Sequence, residues 1–273
     1  MIDYLYVRMS VTKVVAGLDL GSTAIKLALY DGGRFGFWRG PAGWDTRNTA
    51  VTMLESAARE WQIDPGCIEH VCGTGYGRIG AVGLTRTVTE ITCHAKGAAH
   101  LYPEVRTVID IGGQDSKAIR TEENGHVADF IMNDKCAAGT GRFLQVMAHA
   151  LELDLADMAD MQLDSSEAAC PINAMCAVFA ESEVIGLLNR GKSRNSIVSG
   201  LYQSISTRIA SMAARIDPTS PIVLTGGVSM HGLLQAQLAK ALNAPVIVPE
   251  NAVYAGAIGA ALFAWKDYKI GGF

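Results

Sequence analysis

The chain has 273 residues, 49% of them hydrophobic and 18% charged, with a net charge of −4. That length supports a sizeable core in one domain or two lobes, and the slightly acidic balance argues against a nucleic-acid partner or an anionic membrane surface. The longest apolar tract, around residues 255–265, is interrupted by glycines and is too short to span a bilayer. Residues 1–12 carry Asp3 and Arg8 but no apolar core and no small-residue cleavage site. A cytoplasmic chain without a signal peptide is therefore expected, with Met9 as an alternative start. The six cysteines, at 67, 72, 93, 136, 170 and 176, include no close CxxC pair. They are expected as reduced thiols, not as a zinc ribbon or a disulfide framework.

In chain order, residues 13–20 read as a strand, Gly21-Ser22-Thr23 as a turn and 24–30 as a second strand, closed by Asp31-Gly32-Gly33. This is a hairpin, not a strand feeding a helix. Residues 48–61 have a helical pattern, 68–72 a short strand, 73–83 a glycine-rich loop and 90–101 a helix. The opening pattern then returns: a strand at 107–111, a Gly112-Gly113-Gln114-Asp115 turn and a strand at 116–121. The spacing from Asp to Lys is the same in both copies, 26 − 19 = 7 and 117 − 110 = 7. Two copies of one device point to two lobes of similar architecture. Helices are expected at 141–151, 177–189, 193–216 and 233–242, strands at 221–224 and 246–248, and a closing helix at 254–265. Alternating strands and helices make the chain α/β.

Asp19-Leu20-Gly21-Ser22-Thr23 can surround a phosphate with backbone N–H groups and two hydroxyls, because glycine permits close approach. Asp19 can hold Mg²⁺, an ion that prefers oxygen ligands. One such turn is ordinarily structural, but Asp110-Ile111-Gly112-Gly113-Gln114-Asp115 repeats it with Asp again at the strand end. Thr225-Gly226-Gly227-Val228, after a buried-type strand, suits close backbone approach to a nucleoside. There is no GxxxxGK[ST] and no GxGxxG after the first strand, so neither a P-loop nor a Rossmann fingerprint is present. Cys136 precedes Gly139-Thr140-Gly141, and Cys176 opens a second helical stretch. A helix N-terminus favours the thiolate, the form that binds metal. Buried structural thiols are the ordinary alternative. Two thiolates do not complete a four-cysteine site, so such a site needs Cys170 and another ligand, or a second copy of the chain across a twofold axis. Cys67, Cys72 and Cys93 read as structural, and His94, His100 and His149 as satisfied histidines on helices.

Taken together, these segments resemble the ATP-dependent activators of 2-hydroxyacyl-CoA dehydratases and the related ATPase subunits of benzoyl-CoA reductase. The matching pieces are Leu18–Ala24, Thr74–Arg78, Thr89–Ala95, Val108–Lys117, Met132–Leu144, Cys176–Val184, Thr225–Val228 and Tyr254–Leu262, in family order. Asn133–Phe143 (NDKCAAGTGRF) and Val178–Val184 (VFAESEV) are the most specific. The resemblance implies a two-lobed acetate kinase/Hsp70/actin-like (ribonuclease H-like) fold with the nucleotide between the lobes. The first lobe is expected over 12–104 with the closing helix 253–267, and the second, bearing the cluster segments, over 105–252. It also implies a homodimer with one bridging [4Fe-4S] cluster on Cys136 and Cys176, ATP/ADP and Mg²⁺ as cofactors, and ATP-driven transfer of one low-potential electron to a partner enzyme.

Carried over by position, Gly21, Ser22, Thr23, Lys26, Gly112, Gly113, Gln114, Gly139 and Thr140 form the phosphate region, and Gly226, Gly227 and Val228 flank the adenosine. Asp19 and Asp110 hold Mg²⁺, and Gln114 or Asp115 orients the attacking water. The partner is then a 2-hydroxyacyl-CoA dehydratase or aryl-CoA reductase-type enzyme, and the electron donor ferredoxin or flavodoxin. The alternatives are a permanent reductase subunit, a cluster-free small-molecule kinase of the same fold, or a redox or nucleotide sensor. The kinase reading leaves Cys136 and Cys176 unexplained.

Overall fold

The computed structural model describes residues 13–81, 83–133, 139–161, 167–173 and 176–271. The first hairpin is β1 (Val14–Leu20) and β2 (Ala24–Tyr30), extended by antiparallel β3 (Phe35–Pro41). After α1 (Thr46–Glu60), β4 (Ile68–Thr74) and β5 (Arg86–Thr87) add in parallel on the other side of β1. Helix α2 (Glu90–Leu101) leads into β6 (Thr107–Ile111), β7 (Ser116–Thr121) and β8 (Val127–Asn133). Next come α3 (Gly141–Ala150), α4 (Leu155–Asp160), α5 (Ala177–Asn189) and α6 (Arg194–Ala213). The chain closes with β9 (Ile222–Thr225), α7 (Gly232–Leu242), β10 (Val246–Ile247) and α8 (Ala255–Gly271).

Among the described residues the strands form two five-stranded sheets, ordered β3-β2-β1-β4-β5 and β10-β9-β6-β7-β8. Reversing the second order gives β8-β7-β6-β9-β10, the same construction as the first. In each sheet the hairpin strands are antiparallel and the later strands join in parallel. The central strand β1 is buried along its whole length, which is why Val14–Leu20 reads as a continuous run, not an alternation.

Two helices join the sheets through glycine. A Cβ on Gly17 of β1 would lie 2.1 Å from the carbonyl oxygen of Ala257, so α8 runs directly against the first sheet. A Cβ on Gly97 of α2 would lie 1.9 Å from the carbonyl oxygen of Ala255, and one on Gly259 of α8 would lie 1.9 Å from that of Cys93. Helices α2 and α8 therefore meet backbone to backbone. On its other side α2 buries Ala95 and Ala98 against Val108, Ile119 and Val223 of the second sheet. An expected division at residue 104 assigns α2 to the first lobe, whereas its packing is shared. Cys93 joins Val15, Cys72 and Ala260, while Ala95 and Ala98 join the second sheet.

The structure departs from the sequence patterns in several places. Strand β3 carries Gly36, Gly40 and Arg39, which break the alternation that marks a strand. Helix α4 is only six residues long, and α8 continues beyond residue 265 to Gly271. The loop expected at 73–83 contains a 3₁₀ turn at Tyr76–Gly80. Replacing Gly97 by Val should destabilise the protein by about 3 kcal/mol or more, because the contact is with rigid backbone. Gly232→Ala, with no neighbouring atom within 4 Å, should cause little change. Denaturant unfolding of the two variants tests this.

Candidate functional site

The two hairpin turns face each other across a cleft of about 460 Å³ between the sheets. A Cβ on Gly113 would lie 2.1 Å from Oγ1 of Thr23, so the turns meet where only a glycine fits. A Cβ on Gly112 would come within 2.5 Å of Oδ1 of Asp115, and one on Gly21 within 2.8 Å of the carbonyl oxygen of Ala24. Of the residues singled out in the sequence, Asp19, Gly21, Ser22, Thr23, Lys26, Gly112, Gly113, Gln114, Asp115, Gly227 and Val228 line this cleft. Gly226 lies just behind it with φ +92°, its Cα face against Ile111 and Asp110. Gly139 is buried with φ +96°, and Thr140 is fully buried as the residue that precedes α3.

Asp19 and Lys26 are opposed across β1–β2, and Asp110 and Lys117 across β6–β7. The equal seven-residue spacings are thus two cross-strand ion pairs, at 3.0 Å for Lys26–Asp19 and 3.3 Å for Lys117–Asp110. Their surroundings differ. The Asp110 carboxylate accepts from Oγ1 of Thr225 at 3.0 Å and pairs with Nδ1 of His94 at 3.0 Å, in addition to Lys117. Burial pushes Asp110 up, but the His94 and Lys117 charges outweigh it and hold the carboxyl far below the usual range. Burial likewise opposes the charged forms of His94 and Lys117, and their acidic neighbours raise both above their ordinary values. For Glu90 burial is the larger effect, so its carboxyl is raised despite Lys117.

Glu90, His94 and Asp110 place potential metal-ligand atoms within 4.8 Å of one another. The Lys117 ammonium, 2.8 Å from Glu90 and 3.3 Å from Asp110, already supplies the cation there. The two aspartates assigned to Mg²⁺ are consequently unequal. Asp19 lines the cleft, whereas Asp110 has both oxygens engaged and lies behind the lining residues. Asp115 is tied to Lys117 at 2.8 Å, while Gln114 is exposed in the cleft.

Sequence reasoning left Glu90 and His94 outside the site. The available signal was their i, i+4 spacing on the first turns of α2, after the Thr89 cap. Arg39, Tyr76, Gln145, Leu155 and His231 also line the cleft. Tyr76 falls in the Thr74–Arg78 segment, whereas no local motif marks the other four, which come from four different segments.

Cys136 lies at 134–138, outside the described residues. The residues just after it are tied to the second hairpin: Gly141 N–H donates to the Gly112 carbonyl at 2.9 Å, and Arg142 N–H to that of Gly113 at 2.8 Å. Cys176 is exposed and occupies the N-cap position of α5, the helix that packs on α3. Beside it Val178 and Phe179 are 66% and 70% exposed. Cys170 is buried against α6, its Sγ 3.1 Å from Oγ of Ser196. Cys72 and Cys93 are buried, and burial pushes the Cys72 thiol up to about 12 and Cys93 higher still, which makes both poor thiolates at neutral pH.

Asp110→Asn should cost about 3–5 kcal/mol, because it strands buried cationic neighbours. The folded-state pKa of Asp110 is depressed, so its contribution is present above the unfolded carboxyl value of about 4 and is lost as pH falls below it. The difference between wild type and variant should therefore narrow as pH falls below about 4, as measured by denaturant unfolding at stepped pH.

A sequence profile of the BadF/BadG/BcrA/BcrD ATPase family matches residues 16–264. The activator of lactoyl-CoA dehydratase from Anaerotignum propionicum is 46% identical over 73% of this chain and 76% of its own length. The crystal structure of (R)-2-hydroxyglutaryl-CoA dehydratase component A from Acidaminococcus fermentans superposes with a TM-score of 0.87 at 36% identity, covering 94% of this chain and 99% of that one. The activator of 2-hydroxyisocaproyl-CoA dehydratase from Clostridium difficile, solved with ADPNP bound, superposes with a TM-score of 0.87 at 36% identity, covering 94% of this chain and 96% of that one.

Proposed function

The chain belongs to the BadF/BadG/BcrA/BcrD ATPase family, and from that premise we propose that it is an ATP-hydrolysing reductive activase for a 2-hydroxyacyl-CoA dehydratase-type partner. One observation carries the coupling of nucleotide to electron delivery. The carbonyls of Gly112 and Gly113, in the phosphate turn itself, hold the first two N–H groups of α3, five and six residues after Cys136. A displacement of this turn moves the start of α3 directly, and α3 packs on α5, whose N-cap is Cys176.

The cleft suits ATP on chemical grounds. Its glycine turns leave no room for side chains, and its backbone N–H groups and the Ser22 and Thr23 hydroxyls favour phosphate oxygens. Asp19, at the cleft surface, is the carboxylate suited to Mg²⁺, while Asp110 with its filled oxygens holds Lys117 and His94 in place. Gln114, exposed in the cleft, is the residue suited to orient the attacking water, since Asp115 is engaged by Lys117.

The donor set also suits a metal cluster. Cys176 is an exposed, unbridged thiol at the start of α5, open to a metal from outside the chain. Cys136 and Cys176 from each of two protomers would hold one [4Fe-4S] cluster, which when bound supplies a single low-potential electron. The exposed Val178 and Phe179 support a second copy as the neighbour of this surface. The electron donor in this reading is a ferredoxin or flavodoxin.

Gln114→Ala should lower ATP turnover by about 10²-fold with nucleotide affinity nearly intact, measured as kcat and KM for ATP. For the cluster, anaerobically reconstituted protein should bind iron, and Cys136→Ser and Cys176→Ser should not, while Cys170→Ser should. Chelator access to that iron should change between nucleotide-free, ADP-bound and ATP-analogue-bound protein. Equal access in all three states ends the coupling reading, and phosphate transfer to a small hydroxy or carboxylic acid would favour the kinase.

A further inference from the structure

The register of the first sheet sets three side chains in one row. Asp19 is opposed to Lys26 across β1–β2, and Lys26 to Arg39 across β2–β3. Directly opposed residues share a face, with neighbouring strands about 4.8 Å apart. The row thus presents a carboxylate, an ammonium and a guanidinium to the cleft, and all three line it. The second sheet repeats only two places of this row. Asp110 is opposed to Lys117, and Lys117 to Met132. The duplicated device therefore keeps its Asp–Lys pair and differs at the third place, a cation in one half and a thioether in the other.

Charge gives that difference its meaning. Lys26 is held by Asp19 at 3.0 Å. Lys117 is held by Glu90 and Asp115 at 2.8 Å and by Asp110 at 3.3 Å. Both lysines are already neutralised by the protein, so neither brings surplus positive charge to a polyanion. Arg39 pairs with no carboxylate among the described residues. Its Nη1 instead reaches across the cleft mouth to Sδ of Met230 at 3.6 Å, in the turn after Val228. A thioether is a weak acceptor, so giving up that contact costs little. The end of β3 is also fixed to the first phosphate turn, because Ala42 N–H donates to the Thr23 carbonyl at 3.1 Å.

We propose that Arg39 is a phosphate-binding residue of the cleft, releasing Met230 to pair its guanidinium with the phosphate chain of the bound nucleotide. The inference rests on the nucleotide reading of the cleft. A planar guanidinium can take two phosphate oxygens at once, which a lysine in its place cannot. Because Arg39 stands on the first sheet and its present partner in the turn that follows β9 of the second, the exchange also replaces a direct contact between the two walls by one through the nucleotide.

The test is equilibrium binding of Mg-ADP, a non-hydrolysable Mg-ATP analogue and adenosine to the full chain and to Arg39→Ala, Arg39→Lys and Met230→Ala. Arg39→Ala should weaken both phosphate-bearing ligands about tenfold or more, flatten the salt dependence of Mg-ADP binding, and leave adenosine binding and nucleotide-free thermal stability unchanged. Arg39→Lys should recover part of the loss, and Met230→Ala should show none. Unchanged affinity for Mg-ADP and the analogue in Arg39→Ala overturns the proposal. So does an equal loss for adenosine, which would mean a distorted cleft, or the same loss in Met230→Ala, which would mean a latch. Wild-type protein that binds none of the three ligands takes the nucleotide reading down as well, whereas wild-type binding with an unaffected Arg39→Ala removes the Arg39 assignment alone.

Discussion

The ammonium of Lys117 lies within 3.3 Å of three carboxylates, those of Glu90, Asp110 and Asp115, and is shut off from solvent. A buried charge is tolerated only when its partners are held in place, and losing one partner costs far more than the pair contributes. Each partner comes from a different element: Glu90 from α2, Asp110 from β6 and Asp115 from the turn before β7. The lysine therefore fixes the helix, the strand and the second hairpin turn relative to one another. His94, one helical turn beyond Glu90, adds a second tie from α2 to Asp110, and Thr225 adds one from β9. The shape of the second hairpin turn follows from this arrangement, and with it the direction of the Gly112 and Gly113 carbonyls.

Those carbonyls point at α3, and the reason lies in the duplication. Both sheets are built in one order, and both leave the antiparallel edge strand before adding the first parallel strand. In the first repeat that gap holds α1 and a short 3₁₀ turn. In the second it holds everything from residue 134 to 221, including α3, α5 and both cysteines of the cluster reading. The larger insertion starts where β8 ends, beside the second hairpin turn, and leaves the strand order of the sheet the same as in the first repeat. The same comparison exposes Arg39 against Met132, a difference invisible until the strands are aligned by register.

Where α2 meets α8, the joint between the repeats is made by glycine contacts. Gly97 and Gly259 let α2 and α8 touch along their backbones, and Gly256 lies against both His94 and Asp19. A contact of this kind has few side-chain knobs to disengage, so a change of angle between the sheets would require little repacking there. Lobe closure around a ligand belongs to the known repertoire of hinge motions.

The sequence by itself determined a good deal. The repeated Asp–Gly–turn–Lys spacing established two hairpins, the helix patterns located α2 and α5 within a residue or two, and the glycine turns marked residues that line the cleft. These are local signals, set by backbone freedom and by residues within one or two turns of each other. Tertiary structure decided the rest. It made Asp19 and Asp110 unequal, because the partners of Asp110 on α2 and β9 are far away in sequence. It brought Glu90 and His94 into the site, and it showed Cys170 engaged with Ser196 in the body of the protein. It also placed β3, whose glycines and arginine hide its strand character, at the cleft edge. Burial and charge pairing are properties of the assembled neighbourhood, so they cannot be read from a residue and its chain neighbours alone.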